Sequence, residues 1–273
     1  MLKLMYITNR PEVALVAEKA GVDRIFIDLE VLDKAKRQGG MDTVQSQHTL
    51  QDVAEMRKVL TKSQLLVRSN HIYEGSKGEI DTIIRNGADI VMLPYFKTVA
   101  EVETFLECVN GRAKTCLLVE TPEAVEDLDK ILALNGIDEI HIGLNDLHLG
   151  YGMKFMFELL ADGTVERLAD KIKTQNLPFG FGGIARIGQG ALPAENIIIE
   201  HYRLGSTMVI LSRSFCNLQR VCNLEEVKVI FKEGVAAIRA KEQEAQNAIG
   251  DSIYFTRNQQ RVKCMVEEIV RNM

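Results

Sequence analysis

The residues of this chain that could do polar chemistry gather at the ends of short apolar runs. Arg24–Ile27 leads into Asp28 and Glu30, Leu65–Val67 into Arg68 and Asn70, Thr115–Val119 into Glu120, and Glu139–Gly143 into Asn145 and Asp146. Thr207–Leu211 gives way to Ser212, Arg213 and Ser214. A hard divalent cation such as Mg²⁺ or Mn²⁺ takes oxygen ligands and commonly only one or two of them from protein carboxylates. Glu120 and Asp146 suit that task, because they follow successive runs and neither has a lysine or arginine as an immediate neighbour. The same two side chains could instead be helix caps or surface carboxylates, since Asp is a common cap. Arg68 closes an apolar stretch, where a guanidinium is costly to bury unless it meets an anion. That anion is either Asp28 or Glu30 in a structural ion pair, or a carboxylate or enolate oxygen of a substrate held by the planar fork.

The five histidines, His48, His71, His141, His148 and His201, include no HExxH and no closely spaced pair, which argues against a zinc site. His141 alternates with apolar neighbours and reads as a hydrogen-bonded core residue. His48 and His148 fall in expected loops on the same side as the carboxylates, where each is either an acid or base or an ordinary loop residue. Phe179–Gly183 and Gly188–Gly190 are glycine-rich, which fits phosphate binding by backbone amides or simply tight turns.

These residues need a scaffold that brings the ends of many strands together. The chain of 273 residues alternates short β-branched runs with amphipathic segments. Strands are expected over Leu4–Thr8, Arg24–Leu29, Gln64–Ser69, Asp89–Pro94, Thr115–Glu120, Glu139–Gly143, Phe179–Gly182 and Thr207–Leu211. Helices are expected over Pro11–Ala20, Thr49–Leu60, Glu79–Asn86, Val99–Val109, Pro122–Leu134, within Phe155–Gln175 with a break at Gly163, and over Glu195–Leu204. Eight βα units predict an α/β chain folded as a (β/α)8 TIM barrel over residues 1–223. A doubly wound sheet is the runner-up, although no GxGxxG follows the first strand. Helices over Leu224–Ala248 and Gln259–Met273 form an expected extension, residues 224–273, that packs on its own barrel or a neighbouring subunit; such a surplus points to a homo-oligomer.

Composition narrows the partners. Hydrophobic residues make up 46% and charged residues 26%, ordinary for a globular protein. A net charge of -5 offers no basic field for nucleic acid or an anionic membrane. No apolar run approaches the ~20 residues needed to span a bilayer, and Met1–Thr8 lacks the layout of a signal peptide, so a cytoplasmic location is expected. Five cysteines without a CxxC read as reduced thiols.

Residues 4–215 resemble the HpcH/HpaI family of metal-dependent aldolases and citrate lyase β-subunits, among the phosphoenolpyruvate/pyruvate barrels. The likeness rests on Ile27–Glu30, Val67-Arg68, Gly87–Pro94, Val119–Thr121 and above all Ile142–Leu147. The resemblance implies an oxo-acid or acyl-thioester substrate on Mg²⁺ or Mn²⁺ held by Glu120 and Asp146. Arg68 would contact the oxygen that becomes an enolate, amides around Asn145 and Asp146 would take the carboxylate, and Asp28 and Glu30 would support Arg68 or metal waters from behind. One position departs from the family: its aldolases carry a histidine after the residue matching Glu30, and this chain has Val31. The acid/base group would then be His48, a metal-bound water or a residue of a neighbouring subunit. His48 is the proposed candidate because it ends a loop of 17 residues whose Lys34, Lys36, Arg37, Gly39 and Gly40 suggest a lid over the mouth; the other reading is that His48 caps the helix after it. Two further readings of the whole chain are a phosphotransferase or mutase that uses Arg213 and the glycine loops, and a non-catalytic barrel that binds a metabolite.

Overall fold

The computed structural model describes residues 1–32, 47–221 and 223–273. Eight parallel strands close in chain order: β1 (Lys3–Ile7), β2 (Arg24–Asp28), β3 (Gln64–Arg68), β4 (Ile90–Leu93), β5 (Lys114–Val119), β6 (Glu139–Ile142), β7 (Phe179–Ile184) and β8 (Met208–Leu211), with β8 pairing back on β1. The result is a (β/α)8 barrel, and the closure excludes an open doubly wound sheet. Its strands are buried on both faces, by the helical ring outside and the barrel interior within, which is why they read as continuous apolar runs.

Around the strands run α1 (Pro11–Ala20), α2 (Leu50–Val59), α3 (Ser76–Arg85), α4 (Val99–Val109), α5 (Pro122–Glu126), α6 (Leu128–Leu132), α7 (Leu144–Gly150), α8 (Glu158–Ala161), α9 (Thr164–Thr174) and α10 (Ala194–Leu204). Local chemistry sets their ends. Thr49 with Asp52 and Thr98 with Glu101 form capping boxes at the starts of α2 and α4. Pro11 and Pro122 open helices in the first turn, where a missing N–H costs nothing. After β8, α11 (Leu224–Asn247) packs between α10 and α1 and so fills the eighth position of the ring, while α12 (Ser252–Arg271) lies against α10 and α8.

Strand residues alternate between the ring and the interior with period two. Interior positions run Arg24, Phe26 and Asp28 on β2, Gln64, Leu66 and Arg68 on β3, and Cys116 and Leu118 on β5, leading to Glu120. The interior is thus layered: polar at the N-terminal end, apolar in the middle with Met5, Phe26, Leu66, Met92, Leu118 and Met208, and polar again at the C-terminal mouth.

The structure departs from the sequence reading in several places. Asn145 and Asp146 sit on a seven-residue helix, α7, where a loop was expected, and His148 shares that helix. The helix over Pro122–Leu134 is two short ones meeting at Asp127. β7 continues to Ile184 through a register slip against β8 between Gly180 and Gly183. The last helix starts at Ser252 because Asp251 accepts from the N–H groups of Ile253 and Tyr254, a cap that lies before Gln259.

Candidate active site

At the C-terminal mouth, Asp28, Arg68, Glu120, Asn145, Asp146 and His48 line one cavity of about 980 Å³. Arg68 is its anchor. Its Nε and Nη2 donate to the two oxygens of Asp28 at 2.8 and 2.9 Å, its Nη1 lies 3.3 Å from Glu30, and its guanidinium carbon sits 5.6 Å over the Phe26 ring. The ion pair allowed by sequence is therefore present, yet the guanidinium also faces the cavity. Five N–H donors are available on that fork, more than Asp28 and Glu30 together engage in these contacts. Burial works against the arginine's charge, but Asp28, Glu30 and Glu120 outweigh it and raise its pKa above the ordinary arginine value. Glu30 is 1% exposed and stands behind Arg68, outside the cavity wall.

Glu120 follows β5 and is 5% exposed. Its Oε1 accepts from the Tyr95 N–H at 3.0 Å, and Tyr95 holds φ at 48°, the left-handed region that a tyrosine rarely adopts. Its Oε2 lies against Gly143, where a Cβ would come within 2.7 Å of it. Only glycine at 143 lets this carboxylate lie along the backbone that enters α7. Asp146, in the first turn of α7 and 8% exposed, accepts from the Asn145 side-chain amide at 3.1 Å. Neither acid is a helix cap: Thr121 caps α5 with its own hydroxyl, and α7 starts from Gly143.

Two buried carboxylates that follow neighbouring strands are a fitting donor set for a hard cation. Among the described residues no group of three or more His, Cys, Asp or Glu side chains gathers around one point. A cation here would take two protein oxygens and fill its other positions with water and substrate, the usual habit of Mg²⁺.

His48 does not cap α2, because Thr49 does so. Instead its Nδ1 accepts from the Asp28 backbone N–H at 3.0 Å. A neutral imidazole with Nδ1 accepting carries its proton on Nε2, and the residue lines the cavity. Lys34, Lys36, Arg37, Gly39 and Gly40 lie outside the described residues, as does Cys222. Nearby, the N–H groups of Val31 and Leu32 donate to Asn70 at 2.9 and 3.0 Å, and Asn70 in turn donates to Glu79, so Asn70 ties loops together and stands outside the cavity wall.

Two further histidines bond to backbone carbonyls, and one of them, His141, also lines the cavity. His141 is 1% exposed, donates from Nε2 to the Gly182 carbonyl at 3.1 Å, and burial pushes its pKa down to about 4. His148 is buried and donates to the Leu144 carbonyl one turn back. Cys108, Cys116, Cys216 and Cys264 are free thiols. Sequence reasoning missed Tyr95, the packing of Gly143 against Glu120, and the apolar side of the cavity around Phe155, Met156, Phe157 and Leu192. A glycine before Leu-Asn-Asp was a signal that could have been used; nothing in Pro94-Tyr95 announces the left-handed turn.

No helix among the described residues is long and apolar enough to cross a membrane. The model of the HpcH/HpaI aldolase/citrate lyase family matches residues 3–156. An HpcH/HpaI aldolase from Desulfitobacterium hafniense superposes with a TM-score of 0.59 at 18% identity, over 84% of this chain and 92% of that one. The citrate synthase SbnG gives 0.60 at 15% identity over 84% and 94%, and macrophomate synthase 0.56 at 15% over 78% and 77%. At such identities the likeness is one of fold. No protein of curated function matches the sequence.

Proposed function

Since the chain belongs to the HpcH/HpaI aldolase/citrate lyase family, we propose that it is a divalent-metal-dependent carbon-carbon lyase that makes or breaks a bond beside the enolate of a 2-oxo acid or an acyl thioester. The observation that carries this reading is that Arg68, Glu120 and Asp146 line one cavity at the mouth of the barrel. A purely structural barrel has no need to gather those charges at one end.

In this reading Glu120 and Asp146 hold Mg²⁺ or Mn²⁺, and the bound ion supplies Lewis-acid stabilisation of negative charge on the substrate oxygens. Tyr95 and Gly143 fix the aim of Glu120. The amides of the first turn of α7, at Asn145 and Asp146, receive the substrate carboxylate. Arg68, held in plane by Asp28 and Glu30, directs its remaining N–H donors to the oxygen on which the enolate charge develops, a contribution of about 2 to 4 kcal/mol for one preorganised donor. His48 works through Nε2–H, which narrows the acid/base role expected of it to the donor side. The protein acts in the cytoplasm as a homo-oligomer, with Ile249 and Ile253, 66% and 60% exposed beside the start of α12, as part of the contact.

The test is the exchange of pyruvate methyl protons with D₂O, with and without Mg²⁺ or Mn²⁺, since it probes the enolate half-reaction before any second substrate is known. Metal-dependent exchange is expected, and its absence with both metals would remove the assignment. Metal titration should weaken at least tenfold in Glu120→Gln and in Asp146→Asn; unchanged binding in both would show that these carboxylates are not the ligands.

A further inference from the structure

The cavity is much larger than an oxo acid needs. At about 980 Å³ it stands near the upper end of the range for sites that enclose drug-sized ligands. The barrel dictates how that space is divided. Strands follow one another in chain order around the mouth, so the loops after β2, β3 and β5, which bring His48 with Asp28, Arg68 and Glu120, face the loops after β7 and β8 across it. Asp28, Arg68 and Glu120 therefore occupy one side, and Asp146 follows β6 next to Glu120's strand.

The other side is built differently. From the segment after α7 come Phe155, Met156 and Phe157, with the two rings edge to face at 5.4 Å. Leu192 comes from the loop after β7 and Leu218 from the loop after β8. Leu144 lies across Gly182, where a Cβ would meet its Cδ1 at 2.8 Å, so this wall continues inward onto β7. Polar groups return at the rim after β8, with Ser212 bonded to Ser214 at 2.7 Å beside Arg213. The family match ends at residue 156, so Phe157, Leu192 and Leu218 belong to the part of the chain that it does not reach.

We propose that the second substrate is an aldehyde carrying an apolar body, an alkyl chain or an aryl ring, which fills the lobe between Phe155, Phe157, Leu192 and Leu218 while its carbonyl faces Arg68 and His48. The inference rests on the aldolase reading above. In the condensing direction a pyruvate methyl carbon loses a proton, its electron pair forms the new bond to the aldehyde carbon, and the carbonyl π pair moves to oxygen, which takes up a proton. The product is a 4-hydroxy-2-oxo acid, with no oxidant, reductant or net proton involved. A small polar aldehyde would leave the apolar wall facing trapped water, whereas burying a hydrocarbon body there releases it.

The experiment compares kcat/KM for hexanal and glycolaldehyde with pyruvate in the Mg²⁺- or Mn²⁺-loaded protein, alongside pyruvate proton exchange. Hexanal should be favoured by at least tenfold, and Met156→Gln and Leu218→Gln, both at half-buried positions, should reduce that ratio at least fivefold. Because the readout is a ratio within one protein sample, partial misfolding does not mimic it. Calorimetry of the metal-free protein should detect 1-hexanol but not ethylene glycol. Exchange with equal or better use of glycolaldehyde would overturn the apolar acceptor and leave the aldolase reading standing; no exchange with either metal would overturn both.

Discussion

Two arginines point into this barrel, one at each end, and both are gripped by carboxylates. Arg24, at the N-terminal end, is fully buried and bidentate on Glu139 at 2.6 and 2.7 Å, with Gln64 on its Nε and the sulfur of Met208 at 3.6 Å. Arg68, at the C-terminal end, keeps 14% of its side chain exposed, is bidentate on Asp28 and borders a large cavity. The pairs are alike in chemistry and differ in what surrounds them. Around Arg24 every contact is internal, so the pair can only close the floor. At Arg68 the fork is held by Asp28 and Glu30 from one side and open to the cavity on the other. Ion-pair geometry alone therefore does not mark a functional arginine; access to space does.

The sharpest way to break this comparison is to remove each arginine in turn. Arg24→Ala should cost about 3 to 5 kcal/mol of folding stability, because it leaves Glu139 buried without its main partner. Chemical denaturation would measure it, and Arg24→Met with Glu139→Leu should recover most of the loss, since well-packed apolar replacements of buried pairs are often neutral. Acid should act in the same direction. Burial raises the Glu139 pKa, but the hydrogen bonds and charge of Arg24 outweigh it and leave the folded value below the ordinary carboxylate value. The pair's contribution is then complete above the ordinary Glu range and disappears as pH falls through the lowered folded value. Stability unchanged in Arg24→Ala would show that the floor is held by packing alone.

Arg68→Lys should behave in the opposite way: near-normal stability, with about 2 to 4 kcal/mol lost from transition-state binding, because ammonium keeps the charge but not the fork. Turnover close to that of the unaltered protein would make Arg68 a second Arg24, structural in spite of its cavity.

Both ends of the comparison bear on what could be read from sequence. The strands were legible because burial on both faces demands unbroken apolar runs, and strand ends then nominated Arg68, Glu120 and Asp146 for one mouth. The Arg24–Glu139 pair was not seen, although a signal existed. Each residue opens its strand, and β2 and β6 stand opposite each other in an eight-stranded barrel. The short α7 escaped because seven residues are too few for a helical period to emerge. The packing of α11 into the helical ring was likewise beyond periodicity, which identifies a helix but not its neighbours. The contact of His48 with Asp28 joins residues 20 apart in the chain, so neither residue announces it.

The smallest expected effect tests that last contact. With Nδ1 accepting from the Asp28 N–H, the neutral His48 ring keeps its proton on Nε2, and protonating Nδ1 would break the bond that places the ring. A proton carrier would have to cycle through that broken state; a hydrogen-bond donor need not. Glutamine can imitate the donor, since its amide oxygen can accept from the Asp28 N–H while its NH₂ donates to the cavity, whereas alanine removes both. His48→Ala should therefore lower kcat/KM about tenfold, near the ~1.4 kcal/mol of one hydrogen bond, and His48→Gln should stay within about threefold, with the pH profile of pyruvate enolisation unchanged in shape. If both variants lose a hundredfold or more and one limb of the profile vanishes, His48 carries a proton through the reaction. The ring must then turn away from Asp28 during turnover, and the charged half of the mouth would be a moving part where the Arg24 floor is fixed.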